Sequence, residues 1–323
     1  MQFLRRIGID TYMLLLVVMV AAGAIMPARG EAALVLGQVT FWAVALLFFL
    51  YGAKLDIASV RAGLLNFKLQ GLSFAATYIL FPLIGITLAW TAGGALGPEL
   101  TLGLLFLSVL PSTVQSSVAF TAMAGGNVAG AICSASLSNL VAVVLTPGLM
   151  AVILHQSGGI SGDAVVKIAV QILIPFVLGQ CLRPWIGAFI RRQKLLSMVV
   201  DRGSILLIVY AAFSAGTVAG IWSAIPLPTF AALFLTIGVF LALVMTAMVF
   251  AGRVFALDGP DRTALFFCGS TKSLASGLPI ATAIFPPASV GAIVLPVMLF
   301  HISQLLVCAI VSQKLARQQA ATA

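Results

Sequence analysis

Cys268-Gly-Ser-Thr-Lys-Ser-Leu-Ala-Ser-Gly-Leu-Pro279 sits in the middle of an apolar run that extends from about Thr263 to Phe285. The run is long enough to cross a bilayer, which takes roughly 20 residues. Its centre contradicts a simple membrane helix. Two glycines and four hydroxyl residues weaken the helix there, and Lys272 stands among them. A lysine near mid-membrane costs about 2.5–3.5 kcal/mol on insertion scales. Only protein-buried or water-lined surroundings hold one there. A second broken stretch, Leu110-Pro-Ser-Thr-Val-Gln-Ser-Ser117, lies about half a chain earlier. The chain is read as organised around these two interruptions.

Composition sets the class. Of the 323 residues, 62% are hydrophobic and 8% charged. Soluble domains carry about 25% charged residues. An all-α polytopic membrane protein follows. A β-barrel is excluded because the apolar runs are long and continuous rather than alternating. The net charge of +9 does not point to nucleic acid, because the basic residues fall between apolar runs, where they orient spans and meet lipid headgroups. Cys133, Cys181, Cys268 and Cys308 lie within apolar runs and form no CxxC pair, so neither disulfides nor a metal is expected. The N-terminal run from Tyr12 to Met26 reads as a retained first span, since Met26-Pro-Ala-Arg-Gly30 is a poor cleavage site.

Ten spans are predicted, at roughly 11–27, 34–53, 69–91, 99–124, 127–154, 164–188, 202–222, 229–251, 263–285 and 288–312. Placing both termini in the cytoplasm puts fourteen cations inside: Arg5, Arg6, Lys54, Arg61, Lys68, Arg183, Arg191, Arg192, Lys194, Arg202, Arg253, Arg262, Lys314 and Arg317. Only Arg29 and Lys167 fall outside, and Lys272 is within a span. The positive-inside rule therefore favours ten spans and a bacterial inner or plasma membrane setting. Five spans per half make the halves, roughly 1–155 and 156–323, inverted in topology. The broken spans are fourth and ninth, the same place in each half. Paired interruptions of this kind mark a transporter's binding site. Pro82, Pro147, Pro175 and Pro296 are read as ordinary kinks.

An unwound segment frees backbone groups that must be satisfied inside the protein. Half-helices starting near Ser116 and Leu274 would turn partly positive N-termini toward the gap, which favours an anion. The polar side chains expected around it are Thr113, Gln115, Ser116, Ser117, Ser270, Thr271, Lys272, Ser273 and Ser276. Span five adds Ser134, Ser136, Ser138 and Asn139, and span ten adds His301 and Gln304 at i, i+3. Any single serine is more often bonded back to its own helix or used for close packing. His301 is more simply a bonded neutral imidazole than a proton relay. The four tryptophans are read as interfacial or packing aromatics. All eight acidic residues lie near span ends or in loops, so a sodium ion would be held by neutral oxygens alone. No GxSxG, HExxH or Walker A pattern is present, no cofactor is indicated, and an enzyme is not expected.

The chain resembles the bile acid:sodium symporter superfamily, in its bile-acid-symporter-like branch. The resemblance rests on Leu110–Val118, Gly126-Asn-Val-Ala129, Thr146-Pro147, Asp201-Arg-Gly-Ser204 and Cys268–Pro279. It implies ten helices in two inverted five-helix repeats, with spans four and nine crossing. It implies a core domain from spans within 69–154 and 229–312, and a panel domain from spans within 11–53 and 164–222. Sodium-coupled members carry Pro-Gly-Gly and then Ser-Asn in span four, and a glutamate followed by Gln-Asn in span nine. Here Pro111-Ser112-Thr113 and Ser116-Ser117 stand in the first pattern. Phe267 takes the glutamate position, with Thr271 and Lys272 at Gln-Asn. The main carboxylate ligand is replaced and a fixed cation added, which argues against the sodium sites and against bile acid as substrate.

The expected function is a secondary transporter moving a small organic anion by alternating access, with proton or sodium as coupling ion. The rival is a non-transporting membrane regulator with the same fold, linked to calcium or ion homeostasis.

Overall fold

The structure is a computed structural model that describes residues 11–54, 66–155, 169–220 and 225–322. Arg5, Arg6, Asp10, Asp56, Arg61, Asp163, Lys167 and Trp222 lie outside the described residues. All regular structure within them is helical. The helices are α1 (Thr11–Ile25), α2 (Glu31–Lys54), α3 (Phe67–Ala75), α4 (Phe81–Leu96), α5 (Pro98–Ser108), α6 (Gln115–Met123), α7 (Val128–His155), α8 (Ile174–Arg192), α9 (Lys194–Val218), α10 (Leu227–Val254), α11 (Gly259–Ser270), α12 (Leu274–Ile284) and α13 (Pro287–Thr322). Two π-helical segments, Ala76–Leu80 and Ala169–Leu173, lead into α4 and α8.

Seven helical stretches among the described residues are long and apolar enough to cross a membrane. Large apolar side chains also cover the outer surface. Trp42, Trp90 and Trp185, for example, are 66, 86 and 75% exposed. The hydrophobic effect would punish such a surface in water, so the protein is an integral membrane protein. The stretches around 99–124 and 263–285 are not among the seven because each is split, into α5 and α6 and into α11 and α12.

Helix approach follows side-chain size. Gly52 on α2 lies against the Phe176 carbonyl of α8, and Gly179 on α8 lies against the Phe49 carbonyl of α2. A Cβ at either place would strike backbone, so the two glycines set how closely these helices cross.

Two of the prolines read as kinks follow π segments. Pro82 and Pro175 each stand two residues after a π segment, in the related texts Ala76-Thr-Tyr-Ile-Leu-Phe-Pro82 and Ala169-Val-Gln-Ile-Leu-Ile-Pro175. Proline has no N–H and its ring presses on the carbonyl four residues back. Widening the turn relieves that pressure. In the first segment the Phe81 N–H accordingly bonds to the Ala76 carbonyl, five residues back. The next π partner of Thr77 would be residue 82, which has no N–H to give. The Thr77 carbonyl is thus left for another donor. Pro147 and Pro296 lie inside α7 and α13.

Candidate functional site: two interrupted helices fastened through Lys272

The first interruption covers residues 109–114 and the second 271–273. Gln115 and Ser270, expected in the unwound segments, are instead the first residue of α6 and the last of α11. The interruptions lie directly against each other. The Ser273 N–H donates to the Pro111 carbonyl at 2.8 Å. The Ser112 hydroxyl donates to the Cys268 carbonyl at 2.6 Å and lies 3.2 Å from the Thr271 hydroxyl.

Unwinding leaves backbone groups that must find partners. The Ser112 N–H donates to the Ser138 hydroxyl at 2.9 Å, and the Ser112 carbonyl accepts from Asn139 Nδ2 at 2.7 Å. Both partners sit on α7. The Val109 carbonyl accepts from the Thr146 hydroxyl at 2.8 Å. In the second interruption one side chain serves both backbone groups of Lys272. Gln304 on α13 accepts from the Lys272 N–H through Oε1 at 2.8 Å and donates to the Lys272 carbonyl through Nε2 at 2.8 Å. Asn139 also joins the second half-helix, accepting from the Ser276 hydroxyl at 2.6 Å.

Lys272 is 1% exposed. Its ammonium donates to three carbonyls: Thr77 at 2.9 Å, Ser108 at 2.9 Å and Leu110 at 2.5 Å. Three N–H groups thus meet three acceptors. The first acceptor is the carbonyl released by Pro82. The other two are the open C-terminal end of α5, where partial negative charge favours a cation. Below the ammonium lies the Phe81 ring, 4.0 Å from Nζ to the centroid. Phe81 in turn packs on Phe240 and Phe300 at 5.3 and 5.9 Å between centroids. Among the described residues no carboxylate is a partner of the ammonium. Phe267 is fully buried, with its ring against Phe120 and Phe266.

Other expected site residues divide by partner. Thr113 bonds with the Ser116 hydroxyl at 2.8 Å, and Ser273 caps α12 by accepting from the Ser276 N–H at 3.1 Å. His301 Nδ1 lies 2.9 Å from Gln304 Nε2 and 3.4 Å from the Lys272 carbonyl. Ser117, Ser270 and Thr271 bond back to the carbonyls of Thr113, Phe266 and Phe267. Ser134 shares a helix face with Ser138 but turns to Gln70, whose Oε1 accepts from it at 2.9 Å. Gln115, Ser116, Asn139 and His301 keep part of their surface open, Gln115 the most.

Several organising residues escaped the sequence reading. Ser112 lay inside the quoted motif without being singled out, and Pro82 was its own signal for the Thr77 carbonyl. Asp261, expected as a loop charge, is in the first turn of α11. Its two carboxylate oxygens accept from Asn66 Nδ2 and Asn127 Nδ2, both at 2.6 Å. Each asparagine uses its own Oδ1 at a helix start, Asn66 for Leu69 and Asn127 for Gly130. One carboxylate therefore ties the starts of α3, α7 and α11.

With this geometry in place, comparison with known proteins becomes informative. The profile of the SBF-like CPA transporter family matches residues 10–317. The chain belongs to that family, within the bile acid:sodium symporter superfamily. It is 42% identical over 312 residues to the Escherichia coli protein named "Putative symporter YfeH", covering 96% of this chain and 94% of that one. An uncharacterized Pseudomonas aeruginosa protein is 44% identical over the same length and shares. "Sodium/bile acid cotransporter 7" of Rattus norvegicus is 28% identical over 316 residues, covering 95% and 92% of the two chains. Membership makes this family of membrane transporters the frame in which the Lys272 site is read.

Proposed function

We propose that the chain is a secondary transporter that moves a small organic anion by alternating access, with Lys272 standing in for a bound sodium ion. The supporting observation is the ammonium itself, held by the Thr77, Ser108 and Leu110 carbonyls where two broken helices meet. A carbonyl cage at the C-terminal end of a half-helix is a cation site. Here the cation is covalently part of the chain. The anion is assigned to the opposite polarity, the N-termini of α6 and α12, with Gln115, Ser116, Asn139 and His301 as its open polar fringe. Membership of a transporter family and the relatives' names as symporters and cotransporters support transport over a purely regulatory role.

The same reading takes ten spans in two inverted repeats, a core from 69–154 and 229–312, and a panel from 11–53 and 164–222, with both termini cytoplasmic. The panel would rock against the core around the fastened crossing. The coupling ion that fits is the proton carried on Lys272, since its loss would leave two N–H donors for three carbonyls, remove the charge they hold and loosen the crossing.

The test has two stages. Purified protein is screened by thermal shift against organic anions with and without sodium. A stabilising anion is then followed into proteoliposomes, with sodium replaced by choline across a pH series. Uptake that persists in choline and varies with pH is expected. Uptake that requires sodium and ignores pH would sink the Lys272 reading, and binding without any uptake would sink the transport reading.

A further inference from the structure

A cavity of about 390 Å³ lies away from the crossing, between α2, the π segment 169–173, α9, α12 and α13. That volume is within the range of small-molecule pockets. Its walls are mostly apolar, with Phe41, Ala211, Ala212, Pro287 and Val290 among them. Among the described residues no charged side chain lines it. Two polar side chains of the lining stand out. Thr40 is 6% exposed and Gln171 2%, and neither Thr40 Oγ1 nor Gln171 Oε1 has a hydrogen-bond partner among the described residues.

Buried polar atoms are nearly always paired, because leaving one unpaired forfeits its hydration. Among the described residues four buried side-chain oxygens lack a partner, and two of the four line this one cavity. The local backbone adds a second reason to look here. Gln171 is the middle residue of the π segment Ala169–Leu173. Such bulges are retained where a side chain must be re-aimed, and often at functional sites. The other π segment of the chain delivers a carbonyl to Lys272.

We propose that this cavity is a ligand subsite that recognises an O–H or N–H donor on the neutral, apolar part of a small organic anion. Gln171 Oε1 and Thr40 Oγ1 are the recognising atoms. Gln171 accepts from the ligand's donor, and the Thr40 hydroxyl accepts or donates beside it. The apolar walls take the ligand's carbon body, and the described lining offers no charge to hold the anionic end. The subsite rests on the transport reading for its choice of an anion, and it makes Gln171 and Thr40 specificity determinants of that substrate.

The probes are decanoate and 10-hydroxydecanoate, which differ by one terminal hydroxyl. Their binding to the full chain in nanodiscs is measured by titration calorimetry for wild type, Gln171→Leu and Thr40→Val. Wild type is expected to prefer the hydroxylated probe by about tenfold, the worth of one well-made hydrogen bond. Both variants should lose that preference while binding decanoate as wild type does, which also shows that they are folded. Equal affinity of wild type for the two probes, failure to bind either, or an unchanged preference in both variants would overturn the proposal. Uptake of 10-hydroxydecanoate into proteoliposomes separates the two readings. A preference in binding without uptake upholds the subsite and rejects transport. Uptake without a preference rejects the subsite alone.

Discussion

The Lys272 ammonium donates to the Ser108 carbonyl at 2.9 Å, joining two residues 164 positions apart in the chain. Ser108 ends α5 and Lys272 follows the end of α11, so the bond ties one broken helix to the other. With the Thr77 and Leu110 carbonyls it accounts for every N–H the side chain has. In this arrangement the ammonium has no N–H left for an anion.

Lys272→Met should therefore lower stability, even though it removes a costly buried charge. Three carbonyls lose their donor, and a buried acceptor left unsatisfied costs about 1–3 kcal/mol. Lys272→Ala should differ from it in one respect. The space it opens leaves the carbonyls facing a gap that a small cation can enter. Sodium should then raise the Tm of the alanine variant but not that of wild type, measured against choline at equal ionic strength. A sodium-insensitive alanine variant would count against the carbonyl cage.

Gln304→Leu tests the second interruption. Gln304 is fully buried and satisfies both the N–H and the carbonyl of Lys272. Leucine fills a similar volume but removes both bonds, leaving the N–H unpaired and the carbonyl with only His301 Nδ1 at 3.4 Å. The expected loss is about 2–4 kcal/mol, from the two lost bonds. Denaturant unfolding in detergent should show it, and Gln304→Glu should recover part by keeping one acceptor for the Lys272 N–H.

Asp261→Ala should loosen three helix starts together. The Asn66 and Asn127 amides lose their acceptor, and each of those asparagines also serves a helix N-terminus. The site is only partly buried, so water compensates and the expected cost is about 1–2 kcal/mol. Amide hydrogen exchange should speed up at Leu69 and Gly130, the two N–H groups the asparagines cap. Unchanged exchange at both would show that the carboxylate does not hold them.

Gly179→Leu should separate α2 from α8. The substituted Cβ meets the backbone of Phe49 and Ala53, which has no rotamer to move aside. Overpacking of this kind costs about 1–3 kcal/mol or more. A cysteine pair across the crossing, one on each helix, should crosslink readily in the parent chain and poorly in the leucine variant.

Long apolar runs and their intervening cations made the membrane class legible in the chain itself, because burial in lipid requires continuous stretches of fixed length. The two interruptions were legible for a related reason. Glycine, proline and clustered hydroxyls weaken a helix wherever they stand, so Leu110–Ser117 and Cys268–Pro279 declared themselves by local chemistry. Their ends could be read only to within a residue, because Gln115 and Ser270 take helical backbone once their neighbours pack. The motifs also carried the family. Partnership was not readable. Ser134 and Ser138 share a helix face, yet one turns to Gln70 and the other to Ser112, and only the packing of α3 and of the first interruption against α7 decides which. Nor could local chemistry aim the Lys272 side chain. A free ammonium would have suited an anion, but the tertiary structure brings together the end of α5 and the carbonyl freed by Pro82, and three nearby acceptors outweigh one exposed role. Gln171 and Thr40 gave no signal at all in the chain, since an unpaired oxygen is a property of what surrounds it.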